Sequence, residues 1–367
     1  MSFKRMTIAA VAALSLVLTG CSQDTSESGN GSGSSPAAKA ENDFTLPEAA
    51  PDGFKDGLRI AMVRQSGIGD YFEQWGNGAI AQMEAAGVTV DNYDARGDNA
   101  DQVQMLTDAI NSDPDALIVG WGLADSVNPK IDEAIEKGIP VVVYDAAVTN
   151  PDALYLSQDD EAIATLILDE LKAQNPDGGT IGYVNVSGIA PLDSRDKVYQ
   201  KFLDDNPTFK EAAKFGKYSE SVANDTAAEA VATFQANPDI NIVFAAYDEL
   251  AKGALIGLRQ VGMADKVKMY GVDISTADIQ LMTEAGSPWV ATAATDPANV
   301  GKIVARAAIA AASGVDLPSK MTIPAALITQ QMLLEKGVTN MEQLRAAMPD
   351  LATPAYLGAP WIPEVTP

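Results

Sequence analysis

Pro114-Asp115-Ala116-Leu117-Ile118-Val119 and Pro238-Asp239-Ile240-Asn241-Ile242-Val243 are two versions of one phrase, set 124 residues apart. Each opens on a turn pair and runs into a short stretch rich in Val, Ile and Leu. An apolar run of that length, bounded by turn residues, reads as a strand buried on both faces of a parallel sheet. Other landmarks recur at nearly the same spacing. Tyr144-Asp145 matches Val272-Asp273 at an offset of 128, and Ile60 matches Ile181 at 121. Offsets this close predict two α/β domains of one topology. The competing reading is that strands of any parallel sheet look alike.

Working outward, short apolar runs alternate with helical patterns. In the first half, strands are expected at Leu58–Val63, Val88–Tyr93, Ala116–Val119 and Pro140–Tyr144, with helices at Phe72–Ala86, Asp101–Asn111 and Val127–Lys137. The second half restarts with strands at Thr180–Val186, Ile240–Phe244 and Val267–Val272, and helices at Ser194–Leu203, Ala223–Gln235 and Glu249–Gln260. The fold class is therefore α/β, with two similar doubly wound parallel-sheet lobes. In such sheets ligands bind beyond the carboxyl ends of the strands. Asp145 and Asp273 both sit at such ends, and two facing lobes would point both carboxylates into one cleft.

Composition narrows the chemistry. Among 367 residues, 50 are Asp or Glu and 25 are Lys or Arg, for a net charge of -25. A field of that sign repels phosphate backbones, so nucleic acid is not an expected partner. There is no histidine, which removes Ser-His-Asp and Cys-His catalysis and any His-bound metal. Cys21 is the only cysteine, so no intrachain disulfide and no thiolate zinc site can form. No cofactor and no metal is expected. The carboxylates Asp91, Asp94, Asp98 and Asp101 lack the alternate-residue spacing of a calcium loop. Gly76-Asn77-Gly78-Ala79-Ile80-Ala81 falls inside a helix, where it cannot aim a helix N-terminus at a pyrophosphate.

The first residues carry an address. Lys4 and Arg5 precede an apolar run, Met6–Leu18, of secretory length and short for a membrane span. Residues 22–56 are rich in Ser, Gly, Ala and Glu and read as a flexible tether.

Several segments resemble known families. Leu18-Thr19-Gly20-Cys21 resembles the lipobox of bacterial lipoproteins, which implies a signal peptide over residues 1–21 and lipidation of Cys21. Ile60-Ala61-Met62-Val63, Tyr71-Phe72 and Gly78-Ala79 resemble the opening of ribose-binding-protein-like, type I periplasmic binding proteins. So do Asp94 followed by Asn99, Gln102 and Leu106, Gly138-Ile139-Pro140-Val141-Val142-Val143-Tyr144-Asp145, Phe244-Ala245-Ala246-Tyr247-Asp248-Glu249-Leu250-Ala251, and Tyr270-Gly271-Val272-Asp273. Each motif is weak alone, and their order and spacing carry the resemblance across residues 57 to 330.

That resemblance implies a two-lobed Venus-flytrap fold with three crossovers, near residues 158–162, 294–297 and 320–325. The N-terminal lobe would comprise 57–160 plus 296–322, the C-terminal lobe 161–295 plus 323–340, and a C-terminal extension 341–367. It implies no enzyme. The chain would be a monomeric, lipid-anchored extracytoplasmic protein that captures a monosaccharide or polyol and hands it to an ABC transporter permease. A receptor module for a membrane sensor and a binder of nucleosides or other small polar solutes remain alternatives, as does a secreted carboxylate-pair glycosidase.

The resemblance also proposes a ligand set. Asp145 and Asp273 match carboxylates that accept sugar hydroxyls by charge-assisted bonds. Tyr71 and Phe72 match aromatics that cover a sugar face, with core packing as the other reading. Gln65 and Thr295 match polar strand-end positions. Trp121 follows the third strand and either meets ligand or packs between lobes. Ala146 stands where many ribose binders carry Arg, and Tyr247 where they carry Asn. Arg195 lies near another family Arg in uncertain register, as a ligand clamp or a surface helix residue.

Overall fold

The computed structural model describes residues 45–365, apart from 56 and 353–355. The signal segment, Cys21 and the tether as far as residue 44 lie outside the described residues.

The first lobe is built from Arg59–Arg64 (β1), Asp70–Ala85 (α1), Thr89–Asp94 (β2), Asn99–Asn111 (α2), Ala116–Gly120 (β3), Ala124–Glu136 (α3), Val141–Tyr144 (β4) and Leu154–Gln158 (β5). The second comprises Asp160–Gln174 (α4), Gly179–Val184 (β6), Ala190–Asp205 (α5), Phe209–Phe215 (β7), Val222–Ala236 (α6), Ile242–Ala245 (β8), Asp248–Gln260 (α7), Lys268–Val272 (β9), Thr276–Thr283 (α8) and Trp289–Ala294 (β10). The chain then returns to the first lobe for Pro297–Ala312 (α9) and Lys320–Ile323 (β11). It crosses again for Ala326–Thr329 (β12), Gln330–Lys336 (α10) and Met341–Ala347 (α11).

The sheets run β11-β5-β4-β3-β1-β2 and β12-β10-β9-β8-β6-β7, so each strand of one sheet has a counterpart in the other. β3 and β4 are buried along their whole length, as two-sided coverage of a parallel sheet demands. The chain crosses between sheets from β5 into α4, from β10 into α9 and from β11 into β12. One strand departs from the parallel rule: β12 pairs antiparallel with β10, whereas β11 is parallel to β5. β11 runs toward the hinge and β12 leaves it after Pro324 and Ala325, so the chain must head away from the cleft in the second sheet.

Local signals place the boundaries. Asp98 caps α2, its carboxylate accepting from Ala100 N at 2.8 Å and Asp101 N at 3.0 Å. The helix expected from Ser194 begins earlier, at Ala190, because Pro191 supplies a preset φ in its first turn. In the first lobe α1 and α9 pack backbone to backbone. A Cβ on Gly78 would overlap the Ala298 carbonyl, and one on Gly301 would overlap the Trp75 carbonyl.

One expectation at the N-terminal end needs correction. The tether reading fails over 45–55, because Leu46 is 3% exposed in the first lobe's core and Phe54 packs beside it. Their partners come from the far end of the chain. Trp361 stands 4.9 Å from the Phe54 ring and donates to Pro47 O at 2.9 Å. Apolar residues too sparse to form a core alone are buried once the C-terminal extension supplies the other side.

Candidate functional site

The carboxyl ends of equivalent strands meet between the lobes. Asp145 follows β4 and Asp273 follows β9, the same position in the two sheets. Trp121 follows β3 and Gln65 follows β1. Asp145, Asp273 and Trp121 have φ of 49°, 71° and 57°, the left-handed region that side chains seldom occupy. Asp tolerates it best among charged residues, and such backbone strain gathers where a side chain must be aimed. Here the aim is into a cavity of about 250 Å³, at the small end for small-molecule sites.

The structure brings Gln65, Tyr71, Phe72, Trp121, Asp145, Arg195, Tyr247 and Asp273 to the wall of that one cavity. Thr295 stands behind it. Its hydroxyl donates to Gln158 Oε1 at 2.8 Å, and Gln158 Nε2 donates to Asp273 Oδ1 at 3.3 Å. Gln158 ends β5 and Thr295 follows β10, so this chain of bonds spans two crossovers at the hinge.

Arg195 settles in the site. The first turns of α5 bring it inward to 2% exposure. Its Nε donates to Asp160 Oδ1 at 3.0 Å, Nη1 donates to Ala246 O at 2.6 Å and lies 3.8 Å from Asp273 Oδ2. Protein thus meets the guanidinium on three of its nitrogens, chiefly through Asp160, and the cation stands beside Asp273 at the cavity wall. Burial pushes the Asp273 carboxyl up to about 7 although Arg195 opposes it. Burial also pushes Asp145 well above the carboxylate range, Asp160 adding to the effect and Arg195 opposing it. Asp145 Oδ1 is buried without a hydrogen-bond partner among the described residues, an acceptor free for a ligand donor.

One wall is aromatic. Phe72 meets Trp121 edge-on at 4.7 Å, and Trp75 backs Trp121 at 4.9 Å. The Tyr71 hydroxyl bonds that of Tyr144 at 3.0 Å. Phe72 and Trp121 line the cavity and also pack on the first lobe's core. A second wall is aliphatic: Leu123 from the first lobe faces Val186, Ile189, Pro191 and Leu192 from the turn into α5.

Sequence reasoning missed Gln158 and Tyr218 and did not assign roles to Asn99 and Asp248, all of which line the cavity. Tyr218 follows β7, an edge strand of mostly exposed residues with no apolar run to reveal it. Its hydroxyl donates to Gln65 Oε1, joining the second lobe to the first. Lys252 Nζ bridges the same gap to Asp70 Oδ2 at 3.1 Å. Asp248 also holds Lys252, at 3.3 Å, so its charge is met by a cation.

The sequence profile of the periplasmic binding protein domain matches residues 60–316. The chain belongs to that family. Among solved structures it is similar to the 5-methylthioribose transporter solute-binding protein of Thermotoga lettingae, in complex with 5-methylthioribose. They share 39% identity and a TM-score of 0.81, over 83% of this chain and 97% of that one. The D-xylose-binding periplasmic protein of Haemophilus influenzae is 26% identical over 212 residues, 55% of this chain and 62% of that protein, so the match spans less than two thirds of it. The ribose import binding protein of Bacillus subtilis is 23% identical over 286 residues, covering 76% of this chain and 88% of the relative.

Proposed function

We propose that this chain is the solute-binding protein of an ABC importer, lipid-anchored through Cys21 outside the cytoplasm, capturing a small neutral polyhydroxy ligand between its lobes for a membrane permease. The observation that carries the reading is the pairing of Asp145 and Asp273 at equivalent strand ends, opposite an aromatic wall, in one inter-lobe cavity. Carboxylates accept hydroxyl protons by charge-assisted bonds, and an aromatic face suits the C–H side of a sugar. Arg195 is paired with Asp160 and bonded to Ala246 O, and Asp145 keeps an unpartnered oxygen. Above about pH 7, where Asp273 is ionised, a ligand carboxylate or phosphate would meet like charge in a dry cleft, at a cost of several kcal/mol.

The aliphatic wall favours one kind of sugar. Leu123, Val186, Ile189, Pro191 and Leu192 offer no hydrogen-bonding side chain to a polyol. They suit a compact apolar substituent, and the Thermotoga relative is described with a methylthio pentose. Each buried methylene of such a group adds about 0.8 kcal/mol. The deciding experiment is calorimetric titration with ribose, xylitol, 5-methylthioribose and a uronic acid. Binding of the neutral compounds with 5-methylthioribose strongest supports the proposal, and tightest binding of the acid overturns it. Cys21→Ser is expected to move the protein from the membrane to the soluble fraction with ligand affinity unchanged.

A further inference from the structure

The C-terminal extension begins on one lobe and ends on the other. α11 belongs to the second lobe: Met341 and Leu344 are buried in that core, and Met341 N donates to Thr276 Oγ1 at 3.3 Å. Leu351 is buried in the same core. Leu357, a few residues on, is buried in the first lobe's core, followed by Ile362. The segment is held there by three buried or half-buried donors of that lobe. Arg306 Nη1 donates to Tyr356 O at 3.1 Å, Gln82 Nε2 to Pro363 O at 2.8 Å and Lys302 Nζ to Val365 O at 2.9 Å.

A second contact ties the same parts at the hinge. Arg345, on α11, grips Asp296 with both arms of its fork: Nε to Oδ2 at 2.7 Å and Nη2 to Oδ1 at 2.9 Å. Asp296 lies in the passage from β10 to α9 and caps α9, its Oδ1 also accepting from Ala298 N at 3.2 Å. Its side chain is fully buried. The second lobe's appended helix therefore holds the N-cap residue of a first-lobe helix by a bidentate, charge-assisted pair.

We infer that the C-terminal segment is a fourth tie between the lobes, a strap across the hinge that limits how far the cleft opens. The six residues from Leu351 to Leu357 can reach about 20–22 Å at full extension, which caps the separation of the two cores on that side. Rotation of α9 away from α11 also pulls on the Arg345–Asp296 fork at the start of that helix. A protein held near closure loses less of its ligand affinity to an open, binding-incompetent population. The inference goes beyond the proposed function and is independent of which ligand binds.

The test uses full-length protein with Cys21→Ser, Gln104→Cys on α2 and Gln235→Cys on α6, both exposed, and spin labels on the two new thiols. Pulsed dipolar resonance then reads the inter-lobe distance without ligand. In one variant about twelve Gly/Ser residues are inserted between Leu351 and Leu357, adding about 17–21 Å of slack while both anchors stay intact. In the other, Asp296→Asn with Arg345→Met removes the fork, keeps a capping residue on α9 and leaves no lone buried charge. The expected result is a longer and broader distance distribution in both variants. Superimposable distributions in the parent and both variants would overturn the strap. A merely stabilising role for the segment lowers the melting temperature without moving that distance.

Discussion

Asp145 and Asp273 do their work from a backbone conformation that most residues avoid. Replacing either with Ala removes the carboxylate and also strains the chain, by roughly 1–2 kcal/mol at a left-handed position. Asn tolerates that φ and isolates the charge. Asp145→Asn and Asp273→Asn are therefore expected to weaken ligand affinity about ten- to a hundred-fold, the worth of a charge-assisted hydrogen bond of roughly 1.5–3 kcal/mol. Calorimetry at a pH and temperature where both variants are fully folded checks this, and wild-type affinity in both variants would misplace the cleft. The same carboxyls make the ligand-free protein sensitive to pH. Burial raises Asp273 to about 7, above its value in the unfolded chain. The folded state then binds more protons than the unfolded state between about pH 4 and 7, so stability falls as pH rises through that window. The ligand-free melting temperature is expected to drop between pH 5 and pH 8, and Asp273→Asn to flatten the drop.

At the scale of elements, the first lobe rests on the contact between α1 and α9. α9 is buried on nearly every face, so its apolar residues show no single stripe in the sequence. Gly78 and Gly301 allow the two helices to approach to backbone contact. Neither is a turn glycine; the missing Cβ is what matters. Gly301→Ala would drive a methyl into the Trp75 carbonyl, and overpacking of this kind costs about 1–3 kcal/mol. Denaturant unfolding should show that loss, and a stability equal to the parent would mean that the helices can part without penalty.

For the whole molecule, the bonds that join the lobes across the cleft are expected to govern how long a ligand stays. Tyr218 to Gln65 and Lys252 to Asp70 join the lobes opposite the hinge. Neither pair belongs to the sheets that bear the site, so removing one should leave the lobes intact and ease their separation. Tyr218→Phe keeps the ring and deletes one hydrogen bond worth about 0.5–1.5 kcal/mol. Ligand release is expected to quicken about 2- to 10-fold by stopped-flow fluorescence, with association little changed. An unaltered release rate would remove Tyr218 from the closing contacts.

The alternation of β1 to β4 and of β6, β8 and β9 with their helices, the duplication and the two strand-end aspartates are properties of the sequence itself. Buried parallel strands need continuous apolar runs such as Val141-Val142-Val143, and an open sheet exposes the residues just beyond their carboxyl ends. Tertiary structure alone decided the rest, because those features depend on neighbours distant in the chain. Whether Arg195 clamped the site or faced water turned on Asp160 and Ala246, brought beside it from other elements. Gln158 is the polar last residue of β5 and Tyr218 lies beyond the mostly exposed β7, positions that an apolar run does not mark. Leu46 and Trp361 looked like isolated apolar residues in two terminal tails. Only the folded first lobe lays those tails against one another, where each removes the other's apolar surface from water.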